Sequence, residues 1–280
     1  MSPAPDAPTP APSISSETRL SSLVAVLRAI LSLISVALVG LAWLVLALPL
    51  RLVVVPGSWL FPRYRPRLIS LYVKVLSWAT FTLLRVGGGR FRRKGVLPTG
   101  SPIYVVANHQ ALLDTMQAAL LGQPYAPAFV TRARYARFIP QVSVCIRLLG
   151  GPLVDLDVRK SPGGSIDALR RAARELTHAL LIYPEGHRTK TGEVGRFRVA
   201  GFEAMLRERR LPVYVIINDG LWRAPRFADG VLRVHLMDGW SEVVGRYDPP
   251  EDDAELPAFI QHLREVIVDR LAAHRSGSDS

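Results

Sequence analysis

From Ala29 to Leu50 the chain runs without a charged residue, in Leu, Ile, Val and Ala with Trp43 near the end. At ~1.5 Å rise per residue, such a run crosses the ~30 Å hydrocarbon core of a bilayer. A core helix of a soluble domain rarely needs that length, so a retained membrane helix is expected. No basic cluster precedes the run, and no small-residue cleavage site clearly follows it. Residues 1–16 alternate Pro3, Pro5, Pro8, Pro10 and Pro12 with small residues, which predicts a disordered tail of polyproline character. After the run come Arg51, Arg63, Arg65 and Arg67, with no acid between Val55 and Gly100. The positive-inside rule puts that flank, and the domain that follows, on the cytoplasmic face of the inner or plasma membrane. Trp59, Tyr64 and Trp78 suit the membrane interface.

A second apolar stretch, 68–84, is amphipathic: Ser70, Lys74 and Ser77 recur at helical spacing opposite Leu71, Val75, Leu76 and Ala79. A second crossing would carry Arg85, Arg90, Arg92, Arg93 and Lys94 to the outside, against the charge rule. A helix lying in the surface of the cytoplasmic leaflet is therefore favoured, with a two-span hairpin as the alternative. The net charge of +12 implies a polyanionic partner. These cations adjoin a membrane segment and lack interleaved aromatics on a soluble module, so they point to anionic lipid head groups and away from nucleic acid. The single cysteine, Cys145, excludes an internal disulfide and a Cys-based metal site, and its apolar surroundings predict core packing.

Beyond Pro98 the pattern changes to α/β. Strands are expected at Ile103–Ala107, Ala128–Thr131, Leu153–Asp155, Ala179–Tyr183, Val213–Ile217 and Leu232–Met237. Helices are expected at Leu112–Leu121, Gln141–Leu149, Ser165–Thr177, Gly201–Arg209 and Pro257–Ala273. This alternation predicts a mostly parallel sheet flanked by helices, preceded by membrane-embedded helices. The expected domains are a tail at 1–16, membrane-anchoring helices at 17–97 and a catalytic domain at 98–275.

Open α/β sheets place their chemistry at the carboxyl ends of strands. The buried run Ile103–Ala107 ends in Asn108-His109, and Asp114 lies five residues beyond the histidine. Five residues on a helix turn about 140°, so the two side chains meet only if His109 is in the loop and Asp114 in the first helical turn. A carboxylate there can fix the imidazole tautomer and leave the other ring nitrogen as a base. A loop histidine bonded to backbone, beside an aspartate capping a helix, fits the same spacing. The second apolar strand ends in Pro184-Glu185-Gly186-His187-Arg188-Thr189-Lys190. Gly186 allows a tight turn, and Arg188 and Lys190 suit phosphate. Glu185 could accept from a substrate hydroxyl or hold Arg188, and a charged surface turn would look similar. Arg159 and Lys160 follow a glycine turn and short strand, and Arg196 and Arg198 precede a helix start; both pairs could face an anion.

This ordered set resembles the glycerolipid acyltransferase family, typified by 1-acyl-glycerol-3-phosphate acyltransferases, over four blocks in 98–217. The Asn-His-x4-Asp block matches Asn108, His109 and Asp114; the Glu-Gly-Thr-Arg block matches Glu185, Gly186 and Arg188 behind Pro184. The Phe-x3-Gly element matches Phe197 and Gly201, and the hydrophobic Pro block matches Leu211-Pro212-Val213. Two positions depart from the pattern: Asp155 is followed by Leu156 where the family sets Arg beside Asp, and His187 stands where Thr is usual. The resemblance implies transfer of an acyl chain from acyl-CoA or acyl-carrier protein to a lysophospholipid hydroxyl. In that reading His109 and Asp114 are catalytic, and Glu185, Gly186, Arg188 and Arg159 contact the acceptor. No metal or other cofactor is implied. A different acceptor such as a lyso-ornithine lipid, a metal-dependent hydrolase and a catalytically silent membrane-binding protein are the alternatives.

Overall fold

The computed structural model describes residues 16–155, 163–223 and 231–277. Among them a six-stranded sheet forms the centre. Its strands are β1 (Arg90–Lys94), β3 (Ile103–Ala107), β5 (Ala128–Phe129), β8 (Ala179–Ile182), β9 (Val213–Asp219) and β10 (Asp238–Tyr247), in the order β1-β10-β9-β3-β8-β5. The β10–β9 pairing is antiparallel and the others are parallel, which gives the mostly parallel α/β architecture expected. Two small parallel pairs lie outside it: β2 (Leu97–Pro98) with β4 (Gly122–Gln123), and β6 (Thr131–Arg132) with β7 (Leu153–Val154).

Strands β3 and β8 are buried at every residue because helices cover both sheet faces. Successive side chains alternate between two cores. Tyr104, Val106, Leu180, Ile182, Val213, Val215 and Ile217 face α7 (Gly164–Glu175), α8 (Val199–Glu208) and α9 (Leu256–Ser276). Ile103, Val105, Ala107, Ala179, Leu181 and Ile216 face Ala118 and Leu121 of α4 (Leu113–Leu121). Phe197 is buried, and a Cβ at Gly201 would stand 3.1 Å from Leu169, so this Phe-x3-Gly element packs α8 on α7.

Ahead of the sheet lie α1 (Ser16–Pro49), a π-helical turn at Leu50–Val54, α2 (Val55–Leu60) and α3 (Arg65–Val86). Two helical segments here are long and apolar enough to cross a membrane. Leu50, Val54, Ile69, Tyr72 and Leu76 pack with Cys145 of α6 (Pro140–Leu149), joining the helices to the α/β domain. A short α5 (Tyr135–Phe138) precedes α6.

Three expectations are revised. The polar stripe of α3 faces the protein: Ser70 Oγ accepts the Ala126 N–H at 2.7 Å, and Lys74 Nζ donates to Pro124 O at 2.8 Å. Of the residues opposite it, Leu71 and Val75 point outward, as does Trp78, while Leu76 is buried against the domain. The basic run Arg90–Lys94 is an edge strand, with Arg92 paired to Asp238 and Lys94 to Glu242. The expected strand Leu232–Met237 contains a 3-10 turn at Val234–Leu236, and the strand itself begins at Asp238.

Candidate active site

Three parallel neighbours, β9, β3 and β8, end side by side, and the polar residues that follow them converge at one sheet edge. Asn108 ties the first two ends together. Its amide donates to Asn218 O at 2.8 Å and accepts the Asn218 N–H at 2.7 Å, and Asn218 Nδ2 returns a bond to Asn108 O at 2.9 Å. Ser241 Oγ donates to Asn218 Oδ1, so β10 shares the network.

His109 lies in the loop after β3, and Asp114 is the second residue of α4, the arrangement that lets a five-residue spacing close. The distance from His109 Nδ1 to Asp114 Oδ2 is 3.0 Å. The same oxygen accepts the backbone N–H groups of Gln110 at 2.6 Å and Ala111 at 2.8 Å. Asp114 is fully buried and sits in the first turn of α4, where the helix dipole favours an anion. The tautomer with hydrogen on Nδ1 is the one this carboxylate accepts from, so Nε2 carries the available lone pair. The His109 side chain is 16% exposed, open enough for a substrate hydroxyl to reach.

The loop after β8 holds the histidine's backbone. Glu185 Oε1 accepts the His109 N–H at 2.8 Å, and the Thr189 N–H donates to His109 O at 2.8 Å. The Tyr183 ring stacks on the imidazole with centroids 4.0 Å apart. Burial, with the Asp114 carboxylate nearby, pushes the Tyr183 phenol well above its ordinary range, so it stays neutral. Glu185 is 1% exposed, and its second oxygen accepts the Gly195 N–H at 2.8 Å. Burial raises its carboxyl, and the two backbone donors oppose that rise. A Cβ at position 195 would stand 2.9 Å from Glu185 Oε2, so glycine lets the loop close over the carboxylate. Gly186 has φ +71°, and its carbonyl accepts from Arg132 at 2.9 Å.

His187, Arg188 and Lys190 are exposed on the same loop, at an open cleft of about 360 Å³ that Glu185 and Gly195 also line. The structure therefore brings His109, Asp114, Glu185 and Gly186 into one bonded cluster with Arg188 at its rim. Arg159 lies outside the described residues. Burial pushes the Cys145 thiol up to about 12, in keeping with its place in the core. Tyr183, Thr189, Gly195, Asn218 and Asp219 belong to the cluster although sequence reasoning did not select them. The polar Asn218-Asp219-Gly220, closing a third apolar strand, is the signal that could have found two of them.

The α/β sheet carries a carboxylate-oriented histidine beside a cationic loop, and comparison shows which known proteins the chain is similar to. Residues 90–217 match the family model described as Acyltransferase. Among curated proteins, the chain is 27% identical over 181 residues to a chloroplastic 1-acyl-sn-glycerol-3-phosphate acyltransferase of Brassica napus, covering 63% of this chain and 50% of the relative. A second such chloroplastic enzyme, of Arabidopsis thaliana, is 27% identical over 150 residues, covering 52% of this chain and 40% of the relative. The chain thus spans half or less of the length of these relatives. The crystal structure of PlsC, the 1-acyl-sn-glycerophosphate acyltransferase of Thermotoga maritima, matches with a TM-score of 0.62 at 20% identity, over 90% of this chain and 99% of that one. That match establishes a shared fold.

Proposed function

We propose that this protein transfers an acyl chain from acyl-CoA or acyl-carrier protein to the sn-2 hydroxyl of 1-acylglycerol-3-phosphate, giving phosphatidic acid for phospholipid synthesis. The observation that carries the reading is the 3.0 Å contact between His109 Nδ1 and Asp114 Oδ2, inside the segment that matches the Acyltransferase family model. His109 Nε2 takes the hydroxyl proton as the lipid oxygen attacks the thioester carbonyl. The C–S bond then breaks, and the leaving thiolate takes the proton back from the imidazolium. A thioester is already activated, so the alcohol attacks directly and no Ser or Cys nucleophile or metal is invoked. Arg188 grips the acceptor phosphate at the loop rim, with Arg159 as the second expected cation. Glu185 and Gly186 shape the loop that presents Arg188. Holding both substrates in line supplies much of the acceleration.

The N-terminal helices, α1 to α3, anchor this domain at a membrane. Their outward Leu71, Val75 and Trp78 face acyl chains, and the basic flank from Arg51 to Arg67 meets anionic head groups on the cytoplasmic side. The exposed His187, at a position the family gives to Thr, favours one second reading: an acceptor other than lysophosphatidic acid, such as a lyso-ornithine lipid. A panel of lysolipids assayed with labelled acyl-CoA and acyl-carrier protein in detergent or vesicles separates the two. Acylation of lysophosphatidic acid supports the main reading. Acylation of only phosphate-free acceptors keeps the reaction but removes the phosphate role of Arg188. No acylation with either donor overturns the proposal.

A further inference from the structure

Helix α9 buries one stripe, Leu256, Ile260, Leu263, Ile267 and Leu271, against the sheet. Two of its arginines do something else. Arg264 and Arg275 are eleven residues apart, which returns to within about 20° of the same helix face at 3.6 residues per turn. Arg264 donates to Val194 O at 3.0 Å and to Gly195 O at 2.9 Å. Arg275 donates to Gly192 O at 2.8 Å and reaches Glu193 Oε1 at 3.4 Å. It also grips both oxygens of Asp219, at 2.9 and 2.8 Å. One helix face thus holds three carbonyls of the loop after β8 and the acid that closes β9.

Both contacts run on to His109. Gly195 donates its N–H to Glu185 Oε2, and Glu185 Oε1 holds the His109 N–H. Asp219 Oδ1 accepts from Gln110 Nε2 at 3.2 Å, and the Gln110 N–H donates to the Asp114 oxygen that orients the imidazole. We propose that the C-terminal helix braces the active site through Arg264 and Arg275, which act as positioning residues for His109 and for the anion-binding loop. The inference rests on His109 being the base of the proposed transfer. A guanidinium is suited to the task because its planar donors satisfy several acceptors at once, which an ammonium on a flexible stem does not. Arg270, on the same helix, pairs with Glu242 of β10 at 2.8 Å and serves as the control.

The test uses the full chain in vesicles, comparing wild type with Arg264→Ala, Arg275→Ala, Arg275→Lys, Asp219→Asn/Arg275→Ala and Arg270→Ala. Backbone hydrogen exchange and steady-state transfer are both measured. Arg264→Ala and Arg275→Ala should speed exchange in 185–195, and Arg275→Ala also in 108–111, with β3 and α8 unchanged. In transfer, Arg275→Ala should lower kcat about tenfold with the acceptor KM within twofold. Arg275→Lys should recover only part of that loss. Asp219→Asn should recover more when added to Arg275→Ala, because it removes the buried carboxylate left without its cation. A helix that merely stabilises the fold would lower the melting temperature in all variants with kcat unchanged. That result, or loop exchange no faster than in Arg270→Ala, overturns the brace. If the wild type acylates no acceptor, the functional reading fails and the exchange comparison alone decides whether the brace exists.

Discussion

The loops after β3 and β8 end on neighbouring strands and treat charge in opposite ways. The β3 loop turns Asn108, Gln110 and Asp114 inward. The His109 ring is held by Asp114, its N–H by Glu185 and its carbonyl by Thr189, so its orientation is set before any substrate arrives. The β8 loop is divided. Glu185 is buried and spent on two backbone donors, while His187, Arg188 and Lys190 stand in solvent two to five residues further on. In the proposed reaction the first loop supplies a proton transfer that needs fixed geometry. The second binds the first with its inner half and offers cations to an anion with its outer half. The proposed base and the proposed anion-binding loop are therefore joined by direct hydrogen bonds, although they lie far apart in the chain.

Substitutions around the histidine can sharpen or break this contrast. The largest effect should come from Asp114→Asn, which removes the carboxylate that selects the tautomer; kcat should fall about 100-fold, within the range attributed to general-base catalysis. Glu185→Gln should follow. One of its two oxygens becomes an amide N–H facing a backbone donor, so kcat should fall about tenfold and thermal stability by about 1–3 kcal/mol, read by denaturant titration. An effect confined to the acceptor KM would move Glu185 to the outer half of the loop. Arg188→Ala should raise the KM for a phosphate-bearing acceptor about tenfold, leaving kcat and the donor KM nearly unchanged. Equal changes in both KM values would break the division of labour.

The smallest effect lies away from both loops. Burial would raise the Glu242 carboxyl, but hydrogen bonds from Arg270 and Lys94 hold it below its ordinary value. The stability it contributes is present above the ordinary carboxylate range and is lost as pH falls through the depressed value. Glu242→Gln should therefore flatten the acid side of a melting-temperature profile and leave transfer at neutral pH unchanged.

Much of this was legible in the chain because buried parallel strands write themselves as unbroken apolar runs. Ile103–Ala107 and Ala179–Ile182 are both of that kind, and both end in the residues of the site. The edge strand Arg90–Lys94 was hidden because only its inward positions are buried and most of its side chains are cations bound to neighbours or solvent. Strand β10 mixes polar and apolar residues, since it pairs antiparallel near the sheet edge with partly exposed positions. The stripe on α3 was visible, but a period of polar residues does not say which side water is on. Ser70 and Lys74 satisfy backbone groups of the α/β domain, so Leu71 and Val75 turn out while Leu76 stays buried. In sequence Glu185 reads as an acceptor for a substrate hydroxyl, a partner of Arg188 or a surface charge. Only the fold brings the His109 and Gly195 amides to its two oxygens.

The most direct measurement is single-turnover acyl transfer by His109→Ala beside wild type, with saturating labelled donor and lysophosphatidic acid in vesicles. The account predicts a loss of about 10²–10⁴ in the transfer rate, with hydrogen exchange across β3 and β8 and membrane association unchanged. A variant that keeps most of the wild-type rate would contradict it, because the base would then lie elsewhere.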